Sequence, residues 1–227
     1  MSGCLLCRKP LEPFLDLGRM PLANGFLYEK DFAEERFFAL KAGFCPSCAL
    51  VQLTERVAPE RMFHDAYPFF TASSLKMAEH FRAWAVDIKE GLPERDPFVV
   101  EIGSNDGTLL APLAAAGVRH LGVEPSANVA EAARKNGVKS LVRFFAPDTA
   151  RAIRRDHGQA DAVVAANCFC HIADLQGLAE GVALLLKPEG VLVFEDPYLG
   201  DIVQNTAYDQ IYDEHASYLS LAAVTRW

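Results

Sequence analysis

The spacing of apolar positions divides the chain into three stretches. Up to about Pro59 the apolar runs are short, as in FFALKAGF and ALVQL, and Gly3, Pro10, Pro13, Gly18, Pro21, Gly25, Gly43 and Pro46 punctuate them. This predicts short strands and turns with little core of their own. From Ser73 to Glu90, Leu75, Met77, Ala78, Phe81, Trp84, Ala85 and Ile88 recur at a helical period, and GLPERDP follows as a linker. Beyond it strand and helix alternate. FVVEIG, HLGVEP, SLVRFF, DAVVAANCF and VLVFEDP read as five strands. GTLLAPLAAAG, SANVAEAARKNG, PDTARAIRRDHG and DLQGLAEGVALLLKPEG read as the helices between them. Continuous Val, Leu and Phe runs separated by helices predict an α/β fold, a Rossmann-like parallel sheet covered on both faces and preceded by a small domain. The expected division is 1–66, a helical lead and linker at 67–95, and the sheet domain at 96–227.

Composition narrows the function. Half of the residues (51%) are hydrophobic, enough for a sizeable core, and the net charge is -8. An acidic chain is poorly matched to phosphate backbones, and the densest basic cluster, Arg151, Arg154 and Arg155, reads as a solvated helix face. MSGCLLCRKP holds no apolar run of signal-peptide length, and no stretch approaches the roughly 20 apolar residues of a membrane span. The expectation is a cytoplasmic protein with no membrane or nucleic-acid partner. Its cysteines stay reduced there, so paired cysteines suggest metal before disulfide.

Cys4-x-x-Cys7 and Cys45-x-x-Cys48 form two hooks that can supply four thiolates tetrahedrally to Zn²⁺. With four protein ligands no coordination position is open, so the zinc is expected to be structural. A redox CxxC is the alternative, but neither pair sits in a thioredoxin-like context. Cys168 and Cys170 read as small buried residues on the fourth strand.

The turn Gly103-Ser104-Asn105-Asp106-Gly107 joins the first strand to its helix, where a glycine-rich backbone can approach a ligand. Glu124, followed by Pro125 and Ser126, ends the second strand about 20 positions on, where a carboxylate can accept hydrogen bonds from ribose hydroxyls. Taken singly, the turn is an ordinary strand-to-helix connection and Glu124 a neighbour of a helix N-cap. The pair at this spacing points to a nucleoside-bearing ligand.

On these residues the stretch 96–196 resembles the class I methyltransferases. The resemblance implies S-adenosylmethionine (SAM) as cofactor. It implies a first motif at EIGSNDG (Glu101, Gly103, Ser104, Asn105, Asp106), a ribose-binding acid at Glu124 with Pro125 beside it, and active-site lining by Asn167 at the end of the fourth strand. Phe144, Phe145 and Ala146 are expected to end the third strand, where that family contacts adenine; the two aromatics could equally be core. A dinucleotide dehydrogenase fits less well, because the loop lacks the second and third glycines in register.

A narrower resemblance spans nearly the whole chain. DLGRMPLANGF between the cysteine pairs, CPSCALVQL, DAYPFFTASS, NCFCHIADL, FEDPYLGDI and QNTAYDQIYDEHASYLS occur in the order seen in sugar C-methyltransferases that act on nucleotide-linked deoxyketosugars. It implies a thymidine-diphosphate (dTDP) sugar substrate, structural zinc and a carbon nucleophile. Two departures stand out. YPFF (Tyr67, Phe69, Phe70) carries one hydroxyl where the family often has more tyrosines. The chain ends at Trp227, where the resemblance implies two further strands and a C-terminal domain closing the sugar pocket; the expectation is a chain incomplete as a catalyst.

Methylating a carbon beside a ketone requires a base to form the enolate and a donor for its oxygen. IYDEHASY supplies Tyr212, Glu214 and His215. By residue pattern alone this is a polar surface helix; the resemblance makes His215 the base, with Glu214 or Asp213 raising its pKa, or Glu214 replacing it. Tyr212 would bind the enolate oxygen or the sugar. His171, after the fourth strand, is the second candidate for polarising the ketone, against a plain structural role, and Tyr67 would contact the sugar. Two other functions remain in play. One is an RNA methyltransferase with a zinc module, which would need a basic stripe that residues 1–53 lack. The other is a protein that binds SAM without turnover.

Overall fold

The computed structural model describes residues 3–227; the first two residues of the expected amino-terminal domain lie outside the described residues. In chain order the strands are β1 (Glu12–Pro21), β2 (Phe37–Phe44), β3 (Val51–Leu53), β4 (Phe98–Ile102), β5 (Arg119–Val123), β6 (Ser140–Leu141), β7 (Ala160–Ala166), β8 (Leu186–Glu195) and β9 (Ser217–Tyr218). The helices used below are α1 (Leu75–Glu90), α2 (Leu110–Ala115), α3 (Ala127–Lys135), α4 (Pro147–His157) and α5 (Leu175–Leu185). No helix among the described residues is long and apolar enough to cross a membrane.

The chain forms two compact units that are not contiguous in sequence. One comprises the amino-terminal residues through Met62 together with Asn167–Gln176 and Asp196–Trp227; the other comprises Phe63–Ala166 and Gly177–Glu195. Residues 167–176 and 196–227, expected with the parallel sheet, therefore group with the cysteine hooks.

The first unit is built on a four-stranded antiparallel sheet of order β1-β2-β3-β9. Phe38, Leu40, Val51, Leu53 and Tyr218 bury one apolar cluster with Ile202. Burial of these side chains is the main force holding so small a sheet. β9 comes from the far end of the chain, so this core closes only when residues 217–218 have joined the amino-terminal strands.

The second unit is a five-stranded parallel sheet of order β6-β5-β4-β7-β8. The chain winds outward from β4 through β5 to β6, then returns to the other side of β4 with β7. That reversal creates a switch point at the carboxyl ends of β4 and β7, the place where open α/β sheets take ligands. All five residues of β4 are buried. Phe81, Ala85 and Ile88 of α1 join Val99, Leu110, Leu113, Ala162 and Val164 in the core. Ser74 caps α1 by accepting the Met77 N–H, so the helix starts at Leu75, two residues after the expected Ser73.

Two expected elements differ. The third strand stops at Leu141, so Phe144, Phe145 and Ala146 do not end it. Phe144 is 39% exposed. Phe145 packs on α5, where a Cβ at Gly181 would come within 2.8 Å of its ring; this is a packing contact. The last expected helix ends at Leu185, because Pro188 and Gly190 cannot continue it. Residues 187–190 instead form an irregularity within β8, between the pairs Ala160–Leu186 and Ala162–Val191.

Candidate functional site

The cofactor-type loop lies at the switch point of the parallel sheet. Gly107 has φ +78°, and a Cβ there would meet Val138 Cγ2 at 2.9 Å and Ala133 Cβ at 3.1 Å, so only glycine fits. Gly122 of β5 is held to glycine by Ser104, whose Oγ would lie 2.3 Å from an added Cβ. Ser104 is thus a packing residue of the loop; its buried Oγ has no hydrogen-bond partner among the described residues. Glu124 is buried, and its two oxygens accept the N–H groups of Asn105 (3.0 Å) and Ser126 (2.8 Å). A carboxylate offers about four acceptor positions, so capacity for ribose hydroxyls remains. Burial raises the Glu124 pKa, those two N–H groups lower it, and the charge of Asp106 raises it again. Pro125 separates Glu124 from the start of α3.

Asn105 and Asp106 do something the sequence did not reveal. Asn105 Oδ1 accepts the Thr71 N–H at 3.0 Å, and its Nδ2 donates to the Phe69 carbonyl at 3.1 Å. Asp106 accepts the Ala72 N–H at 2.8 Å and the Thr108 hydroxyl at 2.6 Å. Asn128 of α3 holds Tyr67 in the same way, accepting its N–H and donating to its carbonyl. Residues 67–72 are therefore a strap tied by two side chains of the loop and one of α3. The signal is three short polar residues, two in the turn and one at the start of α3, but their partner segment lies more than 30 positions upstream.

Glu101 of β4 is fully buried, and its Oε2 has no partner among the described residues. Burial, and then the charges of Glu124 and Asp106, hold its carboxyl well above the usual carboxylate range. Burial without a partner thus favours the protonated form.

In the first unit the four cysteine sulfurs lie within 4.8 Å of one another. Cys4 and Cys48 Sγ are 3.4 Å apart, as are Cys7 and Cys45 Sγ. Tetrahedral zinc–thiolate bonds of about 2.3 Å place sulfurs about 3.8 Å apart, so the set fits Zn²⁺ after slight expansion. The two hooks share one backbone design. Arg8 N–H donates to Cys4 O and Ala49 N–H to Cys45 O, and both residues are left-handed, at φ 64° and 62°. Burial raises the Cys45 thiol, but the N–H groups of Cys48 and Ser47 and the Cys7 thiol outweigh it and hold it at about 7.

Residues 212–218 do not form the surface helix that their polarity suggests. Asp213, Glu214 and His215 are buried, and β9 begins after one further residue, Ala216. The His215 ring packs on Tyr212 at 4.3 Å, on His171 at 5.0 Å and on Tyr218 at 6.0 Å between centroids. His171 Nδ1 donates to the Glu214 carbonyl and His215 Nδ1 to the Gln210 carbonyl, each at 2.8 Å. The expectation that a neighbouring carboxylate raises the His215 pKa is not met. Glu214 accepts from Asn24 Nδ2, and Asp213 accepts the Ala23 N–H. Burial, and then the charge of His171, push His215 down to about 4 against the Gln210 carbonyl. Its neutral ring, with Nδ1 protonated, presents Nε2 as an acceptor. Burial raises the Tyr212 pKa, so its hydroxyl stays a donor. β7 ends at Ala166; Asn167 follows it at φ 49°, and Cys170 and His171 lie in a short 3-10 turn beyond. Neither Cys168 nor Cys170 is on the strand.

A family model described as "Methyltransferase domain" matches residues 76–227. The chain belongs to the methyltransferase domain family. A second model, described as "Putative zinc binding domain", matches residues 4–63, which hold all four hook cysteines. The chain is similar to the C-methyltransferase NovU of Streptomyces niveus, at 34% identity over 231 residues, covering 99% of this chain and 54% of that protein. It is also similar to a ubiquinone biosynthesis O-methyltransferase of Methylocella silvestris, at 29% identity over 126 residues, covering 51% of this chain and 46% of that protein. Among solved structures, a SAM-dependent methyltransferase from Archaeoglobus fulgidus matches with a TM-score of 0.54 at 15% identity, covering 65% of each chain, a likeness of fold. The chain spans about half the length of the curated relatives it matches.

Proposed function

We propose that this protein takes part in SAM-dependent C-methylation of a nucleotide-linked deoxyketosugar, a dTDP sugar, through an enolate. The observation that carries this reading is the buried packing of His215 against Tyr212 and His171. A neutral imidazole and a protonated phenol side by side are the two groups an enolisation needs. Similarity along 99% of the chain to a protein named as a C-methyltransferase supports carbon as the acceptor.

Gly103 to Gly107 and Glu124 would hold the cofactor, Glu124 through the ribose hydroxyls. When bound, SAM supplies an electrophilic methyl group. His215 Nε2 takes the proton from the carbon next to the ketone. Tyr212 donates a hydrogen bond to the oxygen on which charge develops, with His171 as a second donor. Tyr67 and the strap it begins contact the sugar. Cys4, Cys7, Cys45 and Cys48 hold one structural Zn²⁺. The test is mass spectrometry of candidate dTDP ketosugars after incubation with the protein and SAM. A mass gain of one methylene on a sugar carbon is expected; methylation on oxygen or nitrogen would overturn the enolate route.

A further inference from the structure

The cluster around His215 has a property that enolisation does not use. The Cys170 thiol sulfur and one ring nitrogen each of His171 and His215 lie within 4.8 Å of one another. Cys170 and His215 are buried and His171 is half-buried, so the cluster is largely shielded but open to solvent on the His171 side. One sulfur and two imidazoles suit zinc and similar transition metals and suit magnesium and calcium poorly. In tetrahedral coordination such donors lie on the order of 3.5 Å apart, so the triangle has to close by at most roughly 1.3 Å.

Two surrounding features match a metal site. Both imidazoles donate Nδ1–H to backbone carbonyls, of Glu214 and Gln210. This is the outer hydrogen bond that orients metal-binding histidines. The Asp196 carboxylate accepts the N–H groups of Phe169 (3.2 Å) and Cys170 (3.3 Å) and lies beside the Cys170 thiol. Zn²⁺ with one thiolate and two neutral imidazoles keeps a single positive charge, which that carboxylate offsets.

We propose that Cys170, His171 and His215 form a second transition-metal site, separate from the four-cysteine centre, which takes Zn²⁺ and switches the enzyme off by occupying His215. The inhibitory half of this rests on His215 being the base. Binding forms one Zn–S and two Zn–N bonds and releases the Cys170 proton to solvent, with water as fourth ligand. The enzyme then has no imidazole lone pair to take the substrate proton.

The test uses protein already carrying one zinc at the four-cysteine centre, titrated with Co²⁺. One further equivalent should bind with a thiolate-to-cobalt absorption band. The band should vanish in Cys170→Ser, and cobalt affinity should fall at least 10-fold in His171→Asn, with the far-ultraviolet circular dichroism of both unchanged. Deuterium exchange into the ketosugar should stop as the second equivalent binds, and should persist in zinc-treated Cys170→Ser. Failure to bind a second equivalent, or a band that survives in Cys170→Ser, overturns the site. A second equivalent bound through Cys170 with exchange unimpaired keeps the site but overturns both the inhibition and His215 as the base. Absence of exchange without added metal overturns the enolate reading, while the absorption band still decides the site.

Discussion

Gln52 stands directly opposite Ser217 in the pairing of β3 with β9, and its side-chain oxygen accepts the Leu5 N–H at 2.7 Å. One fully buried residue thus touches the first cysteine hook and the strand that begins two residues after His215. Leu53 N–H adds a bond to the Ala216 carbonyl, and Val51 faces Tyr218. The second hook is tied to the same end of the chain, because Ser220 donates to the Ala49 carbonyl and Arg226 to that of Ser47. The proposed base therefore sits two residues ahead of a strand of the four-stranded sheet. Gln52→Leu leaves the buried Leu5 N–H without a partner. It should cost about 1–3 kcal/mol of stability. Denaturant unfolding followed with a zinc-release dye should show both transitions moving together; an unchanged midpoint would contradict this link.

Zinc removal should act on chemistry rather than on cofactor binding. Chelation, or Cys48→Ser, frees the two hooks that brace β3 and residues 220–226, so the 212–218 segment loses its support. Proton exchange at the sugar should fall by 10-fold or more, while SAM affinity by calorimetry stays within a factor of about two. A matched loss of both would mean that zinc holds up the whole chain.

Glu124→Ala should weaken SAM binding by about 1–3 kcal/mol, the usual loss when a buried hydrogen-bonding group goes unpaired. The same change frees Asn105 N–H and Ser126 N–H. Part of the effect will therefore appear as lower thermal stability without ligand. Calorimetry beside a melting curve separates the two, and unchanged affinity would remove Glu124 from the cofactor site.

Glu101 gives a pH dependence with a definite sign. Its folded pKa lies above the unfolded value of about 4.5. Above that pH the unfolded chain loses a proton that the folded protein keeps. Stability is therefore eroded progressively as pH rises from about 4.5 toward the raised folded value. Glu101→Gln keeps the shape and cannot ionise. Its melting temperature relative to wild type should climb across that window and be close to equal below it. A difference independent of pH would show that Glu101 is ionised in the fold.

How much of this was legible in the sequence depends on the range of the interaction. The parallel sheet, the cysteine hooks and the glycine turn with Glu124 are patterns within a few residues or one βαβ unit, and the periodicity of Val99, Val100, Leu121 and Val163 exposes them. Residues 212–218 are polar by composition. Pairing of residues 217–218 with β3, some 165 positions away, and the bonds from Ala23 and Asn24 to Asp213 and Glu214 are long-range contacts that a surface-helix pattern does not reveal. The strap at residues 67–72 was hidden for a similar reason, since Asn105, Asp106 and Asn128 read as turn and helix-start residues until their backbone partners are seen. SLVRFF showed a third strand that β6 does not complete, because Thr149 draws the Phe144 carbonyl into the start of α4.

The most direct test of the account is solvent deuterium exchange at the carbon beside the ketone of a dTDP ketosugar, followed by nuclear magnetic resonance without SAM. Wild-type protein should exchange that proton. His215→Asn, with its fold and SAM affinity intact, should exchange it about 10²- to 10⁴-fold more slowly, the usual effect of a lost general base. Exchange by the variant at the wild-type rate would contradict the account and pass the base to Glu214 or His171.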